Sequence, residues 1–295
     1  TFIWDSGRAV LPIVPNNQDI TGRIFMMTHL QSVSATSVLV SLMLALPVFA
    51  EEPEDPAKAG YAIAVKVDQV DTSKDSYSEG MMTIHRNNQT LNRSFRTYTK
   101  HFPTDGRDDE YNLFIFDKPA DVKGTKYLIW CYEGIKKDDD MWIYLPAESL
   151  VRRISGSSKT ASFMRSDLSN EDVQDMDDVD EYTYKLVGSE VADGLDCYIL
   201  ERYPKPEKQT QYSKQVMWIN KDTWIRHKCD YYDKKGKLIK KAFFSDVQKI
   251  DGIWTAMKVR FETVGENSYT VIDWPLVKYN AGLSDALFQH SELQR

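Results

Sequence analysis

The residues that could do chemistry in this chain are present but not in working sets. Five histidines, His29, His85, His101, His227 and His290, are scattered, and none has a second ligand at a metal spacing. The Ser155–Ser158 run has nucleophilic residue types, but Gly156 stands where Ser is needed three positions before Lys159, so an S-x-x-K arrangement fails. Carboxylate pairs such as Asp138 and Asp140 lie in a turn, where solvation accounts for them. The chain contains no P-loop, G-x-G-x-x-G, H-E-x-x-H, G-x-S-x-G or C-x-x-C. No catalytic residue, metal or cofactor is therefore expected. One stretch, Met141 to Val173, concentrates a different chemistry. A short aromatic and branched strand stops at Pro146, and a second strand, Leu150 to Ile154, carries Arg152 and Arg153. A flexible Ser/Gly/Lys run follows, then an apolar pair, Phe163 and Met164, then Asp167 as the expected N-cap of an acidic helix. These residue types suit a movable cover rather than a bond-breaking centre.

A cover needs something to cover, and the flanking sequence supplies it. From Tyr77 the apolar period is two: Met82/Ile84, Phe95/Thr97, Tyr111/Leu113/Ile115, Tyr127/Ile129/Cys131 and Trp142/Tyr144 each mark one strand face. Leu113–Phe116, Tyr127–Tyr132 and Met141–Leu145 are apolar on both faces. Both faces of these strands must be buried, against helices or against a cavity. After the acidic run 170–181, strands resume and continue to Trp274, joined by Asp-Gly and Lys-Gly turns. About 12 or 13 strands in meander order are expected, preceded by an amphipathic helix within 51–71 that carries Ala59, Ile63, Val67 and Val70 on one stripe. The pattern predicts a mainly β domain, a large antiparallel sheet curved into a half-open barrel with a few helices forming a lid.

The chain has 295 residues with 42% hydrophobic content, enough for a sizeable core, and a net charge of −7, which argues against nucleic-acid binding. Three cysteines, Cys131, Cys197 and Cys229, are too few for a disulfide scaffold, though one bridge is open to them. Residues 33–50 are nearly all apolar and small, end in Val48-Phe49-Ala50, and give way to Glu51-Glu52. We read 26–50 as a signal peptide cut after Ala50, and 1–25 as a non-native upstream extension. A single domain is expected over 57–292, with its flap at 155–180.

The run MWIYLPAESLVRRISGSSKTASFMRSDLSNEDV resembles the signature of the outer membrane lipoprotein-sorting proteins, a LolA-like family. Asp196-Cys197-Tyr198, Tyr203-Pro204-Lys205, Gly252-Ile253-Trp254 and the closing Tyr279-Asn280 match less specific parts of it. Arg165 departs from the pattern, which has Gly before Ser166-Asp167. The resemblance implies a half-open antiparallel barrel under a helical lid, located in the periplasm, that holds the acyl chains of a lipid or lipoprotein. It also implies association with an inner-membrane exporter of the resistance-nodulation-division type. On that reading Phe114, Phe116, Trp130, Trp142, Tyr144, Phe163, Met164 and Trp254 are candidate cavity residues. Arg152 or Arg153 would latch the lid by donating to its backbone carbonyls, as an arginine does in the resembling carriers. The alternative is an interaction module that docks an exporter and carries no lipid.

Overall fold

The computed structural model describes residues 55–104, 106–134, 137–174 and 178–295. The expected signal peptide and upstream extension lie outside the described residues. The first helix, α1 (Pro56–Asp68), begins where Asp55 accepts the Ala57 N–H at 2.9 Å, with Pro56 in the first turn, where its missing N–H costs nothing. It buries Ala59, Gly60, Ile63 and Ala64.

Thirteen strands follow in one antiparallel sheet. They are β1 (Asp75–Arg86), β2 (Gln89–Thr104), β3 (Arg107–Lys118), β4 (Lys126–Cys131), β5 (Asp140–Leu145), β6 (Leu150–Ile154), β7 (Tyr182–Ala192), β8 (Leu195–Pro204), β9 (Tyr212–Asn220), β10 (Arg226–Asp233), β11 (Leu238–Ile250), β12 (Ile253–Thr263) and β13 (Ser268–Tyr279). Neighbours in sequence are neighbours in space, except that β1 pairs with β13 and β6 does not pair with β7. The sheet is therefore unclosed, a half-open barrel with β6 and β7 as free edges. The tight turns have the chemistry that hairpins require. Asn87-Asn88 between β1 and β2, and Asp251-Gly252 between β11 and β12, all have positive φ. α1 lies on edge strand β7, and it can do so because Gly60 has no side chain: a Cβ there would sit 2.8 Å from the Leu186 nitrogen.

Alternation along the strands sends two sets of side chains to two faces. The inner set forms the main core, with Met82, Ile84, Phe95, Phe116, Tyr127, Ile129 and Met141 at one side and Leu200, Met217, Ile219, Val259 and Phe261 at the other. The segment between β6 and β7 crosses this face as 3-10 turns at Gly156–Thr160 and Phe163–Arg165, a short helix α2 (Asn170–Gln174), and a last turn at Val179–Glu181. The outer face of β2–β6 carries a second core around Leu113 and Leu128. The chain's end covers it with turns at Asp285–Phe288 and His290–Gln294 that bury Phe288 and Leu293. Cys131, Cys197 and Cys229 are all buried and unbridged.

Asp167 does not cap α2. Ser169 does, in a reciprocal arrangement: the Ser169 N–H donates to the Asp172 carboxylate at 2.6 Å, and the Asp172 N–H donates to Ser169 Oγ at 3.3 Å. Asp167 is turned into the core instead.

Candidate functional site

The inner face of β1–β4 is built to receive a ring. Gly80 in β1 stands opposite Phe95 in β2, and the Phe95 ring occupies the space a Cβ would need, within 2.2 Å of it. The Phe95 ring thus leans over Gly80, with its centroid 5.6 Å from that of Phe116. Phe163, from the crossing segment, packs against Phe116 and Tyr127 and is 1% exposed. Its ring centroid is 4.7 Å from Tyr127 and 6.0 Å from both Phe114 and Phe116. Burial pushes the Tyr127 hydroxyl well above its ordinary pKa, so it stays neutral.

Three polar fastenings hold the segment in this position. Arg93 on β2 is 5% exposed and donates to the Met164 carbonyl. Burial lowers its pKa, and the nearby Arg165 charge lowers it further while Asp121 opposes both. Asp167 accepts hydroxyl hydrogen bonds from Thr263, Ser268 and Thr270 at 2.6–2.7 Å, so β12 and β13 hold it from three sides. Asp172 accepts from Lys240 and, at 2.5 Å, from the Tyr212 hydroxyl. Lys240 also donates to the Tyr212 oxygen at 2.8 Å. Both members of the Asp172–Lys240 pair are buried, so removing either one strands a charge at a cost of about 3–5 kcal/mol. Burial, and then the Asp172 carboxylate, raise the Tyr212 pKa well above its ordinary value.

The turn itself is unusual. Met164 and Arg165 both have left-handed backbones, with φ of 50° and 62°. Ser166 Oγ donates to the Phe163 carbonyl and Ser162 Oγ to the Ser166 carbonyl, each at 2.6 Å, and these bonds hold the turn shut. With the segment seated, Phe163 closes the inner face around Phe114, Phe116 and Tyr127. A hollow between α1 and β7–β9, beside Leu200 and Met217, measures about 20 Å³, enough for a water but not for an acyl chain. A larger cavity of about 390 Å³ lies at the far end of the sheet and is lined by Asp68, Asp71, His101, Glu110 and Glu133. Tyr61, Val65, Cys131, Tyr132 and Val179 line it as well, so its wall is part acidic and part apolar.

A family model described as an uncharacterized protein matches residues 108–295. No protein of curated description matches the chain. Among solved structures, a crystal structure of a DUF1329 family protein from Desulfovibrio piger is 65% identical, with a TM-score of 0.79, over 81% of this chain and 99% of that one. The chain belongs to the DUF1329 family. A Vibrio parahaemolyticus domain named for outer membrane lipoprotein sorting is 29% identical at a TM-score of 0.74, over 81% of this chain and 100% of that one. A LolA superfamily protein from Nitrosomonas europaea is 18% identical at a TM-score of 0.63, over 79% and 98%, and shares the fold.

Within the LolA-like fold, the residues expected to line one cavity divide between two faces. Phe114, Phe116, Phe163 and Met164 come together on the inner face. Trp130, Trp142 and Tyr144 lie on the outer face beneath the C-terminal segment, where Trp130 Nε1 donates to the Phe288 carbonyl at 2.9 Å. The reason is parity: Ile129, Cys131, Met141 and Ile143 take the inner positions of β4 and β5, which leaves the tryptophans outside. Trp254 alternates with the buried Ile253 and sits on the outer face of β12, with Lys249 Nζ 5.4 Å from its ring centre. The expected latch is also elsewhere. Arg152 pairs with Glu148 at 2.6 Å and Arg153 with Asp140, both exposed at edge strand β6. Arg93 holds the lid instead. Its position two residues before Phe95, on the apolar parity of β2, was the available signal. An arginine on a buried parity needs an internal acceptor.

Proposed function

We propose that the protein is an exported carrier that shields the acyl chains of a lipid or lipoprotein in the periplasm. The observation that carries this reading is Phe163: an aromatic side chain inserted among Phe114, Phe116 and Tyr127 by a segment fastened through polar contacts. An acyl chain costs about 0.8 kcal/mol for each CH₂ left in water, so one of about 16 carbons cannot cross an aqueous compartment bare. Withdrawing Phe163 opens an aromatic groove of the non-directional kind that such a chain needs. Arg93 then acts as a latch: its bond to the Met164 carbonyl holds the empty form closed, and the lid yields when cargo replaces the ring. Loop opening of this type gates access in many proteins.

The test is saturable binding of a fluorescent diacylated lipid to the mature protein, with competition by unlabelled lipid and mass spectrometry of whatever lipid co-purifies. The expected result is stoichiometric binding that Phe163→Ala tightens, because the competing ring is gone. No binding to either protein would sink the carrier reading. A second reading, a module that docks an inner-membrane exporter and carries nothing, is favoured by the close packing of Phe163 against Phe114, Phe116 and Tyr127. It predicts no lipid binding together with retained exporter binding. Export itself is tested by sequencing the mature N-terminus, expected to begin at Glu51.

A further inference from the structure

Beside the latch, on the rim of the inner face, a recess of about 120 Å³ is lined by Ile84, Arg86, Asn87, Gln89, Leu91 and Arg165. Its composition is unlike the rest of a chain whose net charge is −7. Two arginines line it, and a third, Arg93, donates to the Met164 carbonyl in the same turn. The two have different standing. Arg86 is braced: its Nε donates to Ser268 Oγ at 3.2 Å and its Nη2 is 3.9 Å from Asp167, yet it remains 44% exposed toward the recess. Arg165 is not braced. Among the described residues it has no hydrogen-bond or ion-pair partner.

Arg165 also occupies a backbone conformation, φ 62°, that disfavours any side chain and suits glycine. A β-carbon there costs about 1 kcal/mol, and among the described residues no hydrogen bond or ion pair of the side chain offsets it. A strained position that carries an unpartnered charge into a recess points to a ligand. The neighbouring surface says where the rest of that ligand goes. Ile84 and the 38% exposed Leu91 form the floor, and Met164, one residue from Arg165, leads to the ring pocket that Phe163 fills.

We infer that Arg86 and Arg165 form a phosphate-recognition site for the head group of a phosphate-bearing lipid, whose acyl chains take the Phe163 pocket. This rests on the carrier reading and narrows its cargo. Guanidiniums recognise phosphate oxygens with paired, charge-assisted hydrogen bonds, and the Asn87 and Gln89 side chains add neutral partners. The diacylglyceryl thioether of a lipoprotein carries no charge at the corresponding place and gives these arginines nothing to bind.

The experiment compares binding of phosphatidylglycerol and of diacylglycerol with identical chains, presented in the same neutral detergent. The probed proteins are the native chain, Arg86→Gln, Arg165→Gly, and Arg153→Gln on the distant edge strand. The native chain is expected to favour the phosphate-bearing lipid about tenfold, the ratio for one charged hydrogen bond of about 1.4 kcal/mol. Arg165→Gly, which relieves the backbone and so folds, is expected to bring that ratio close to one, as is Arg86→Gln. Arg153→Gln keeps it. Equal binding of both lipids by the native chain overturns the head-group assignment and leaves the carrier reading standing. Binding of neither lipid overturns both. Inorganic phosphate that binds alone at micromolar concentration, with the same dependence on Arg165, assigns the site to the free anion and overturns the lipid assignment.

Discussion

The same strands, β2–β5, bury aromatic side chains on both faces, and the two covers are fastened differently. On the outer face the sheet's side chains reach up to the backbone of the C-terminal segment. Lys100 Nζ donates to the Leu283 carbonyl at 2.6 Å, Lys126 Nζ to Glu292 at 2.9 Å, and Trp130 Nε1 to Phe288 at 2.9 Å. Asp75 also accepts from the Gly282 and Leu283 N–H groups. That cover brings two large apolar side chains, Phe288 and Leu293, both almost wholly buried. On the inner face the lid inserts Phe163 and Leu168, with Met164 and Val173 packed beside them, and is held through Arg93, Asp167 and Asp172. Both covers add apolar side chains to a core and both are clipped by polar bonds, but the inner clips are the buried charges Arg93, Asp167 and Asp172, whereas the outer ones include the half-buried Lys100 and Lys126. The two faces are alike in hydrophobicity and differ in the burial of the charges that fasten their covers, and the carrier reading proposed above makes the inner one the face that opens.

Breaking each cover in turn gives the largest effects. Phe288→Ala is expected to lower unfolding free energy by about 3–5 kcal/mol, read by urea titration, with no gain in lipid binding. Phe163→Ala is expected to cost about as much in the lipid-free protein, but added acyl lipid should restore much of it. Equal behaviour of the two variants toward lipid would erase the distinction between the faces. Lys240→Met removes one partner of the buried pair beneath α2 and is expected to cost about 3–5 kcal/mol. Lys126→Met, at the half-exposed outer clip, should cost about 1 kcal/mol.

A smaller effect concerns pH. At the far end of the inner face, burial holds the Glu110 carboxyl up at about 7, with His101 and the Asn112 amide pulling the other way. Burial also holds Asp139 up at about 7, against the Tyr132 N–H. The folded chain therefore retains protons that the unfolded chain has lost once pH passes the ordinary Glu value of 4.5. Stability should decline from about pH 4.5 to about pH 7, by about 1–3 kcal/mol for each group, and level off above that window. Glu110→Gln should flatten its share of the slope. A urea midpoint that rises between pH 5 and pH 7 would contradict the assignment. The smallest expected change is Trp130→Phe, which loses one hydrogen bond to the Phe288 carbonyl, about 1 kcal/mol, and leaves lipid binding untouched.

The strand order and the place of the lid were legible because they are written locally. Period-two runs, Asp-Gly turns and Pro146 mark β4, β5, β6 and the start of the crossing segment without reference to anything distant. What was not legible depends on partners far along the chain. Trp130 and Trp142 read as cavity residues because both faces of their strands are apolar. The residue that claims Trp130 is Phe288, 158 positions later. Asp167 read as a helix cap because Ser-Asp before an acidic run has that local form, yet the Ser268 hydroxyl that it accepts is 101 positions away. Arg152 and Arg153 looked like the latch because they flank the lid in sequence. Arg93 does the holding because it lies under the lid in space, 71 positions before the carbonyl it binds. Arg165 is the reverse case. Its departure from the family pattern was visible in the sequence, and its positive φ explains why glycine is the expected residue there.

The most direct measurement is photo-crosslinking with a lipid that carries a diazirine at the end of its acyl chain, followed by peptide mapping. Adducts are expected on the inner-face peptides that hold Phe114, Phe116 and Phe163, and are expected to increase in Arg93→Met, where the lid has lost its latch. Adducts confined to the outer-face residues Trp130, Trp142 or Phe288, or none above a protein-surface control, would contradict the assignment of the inner face as the acyl site.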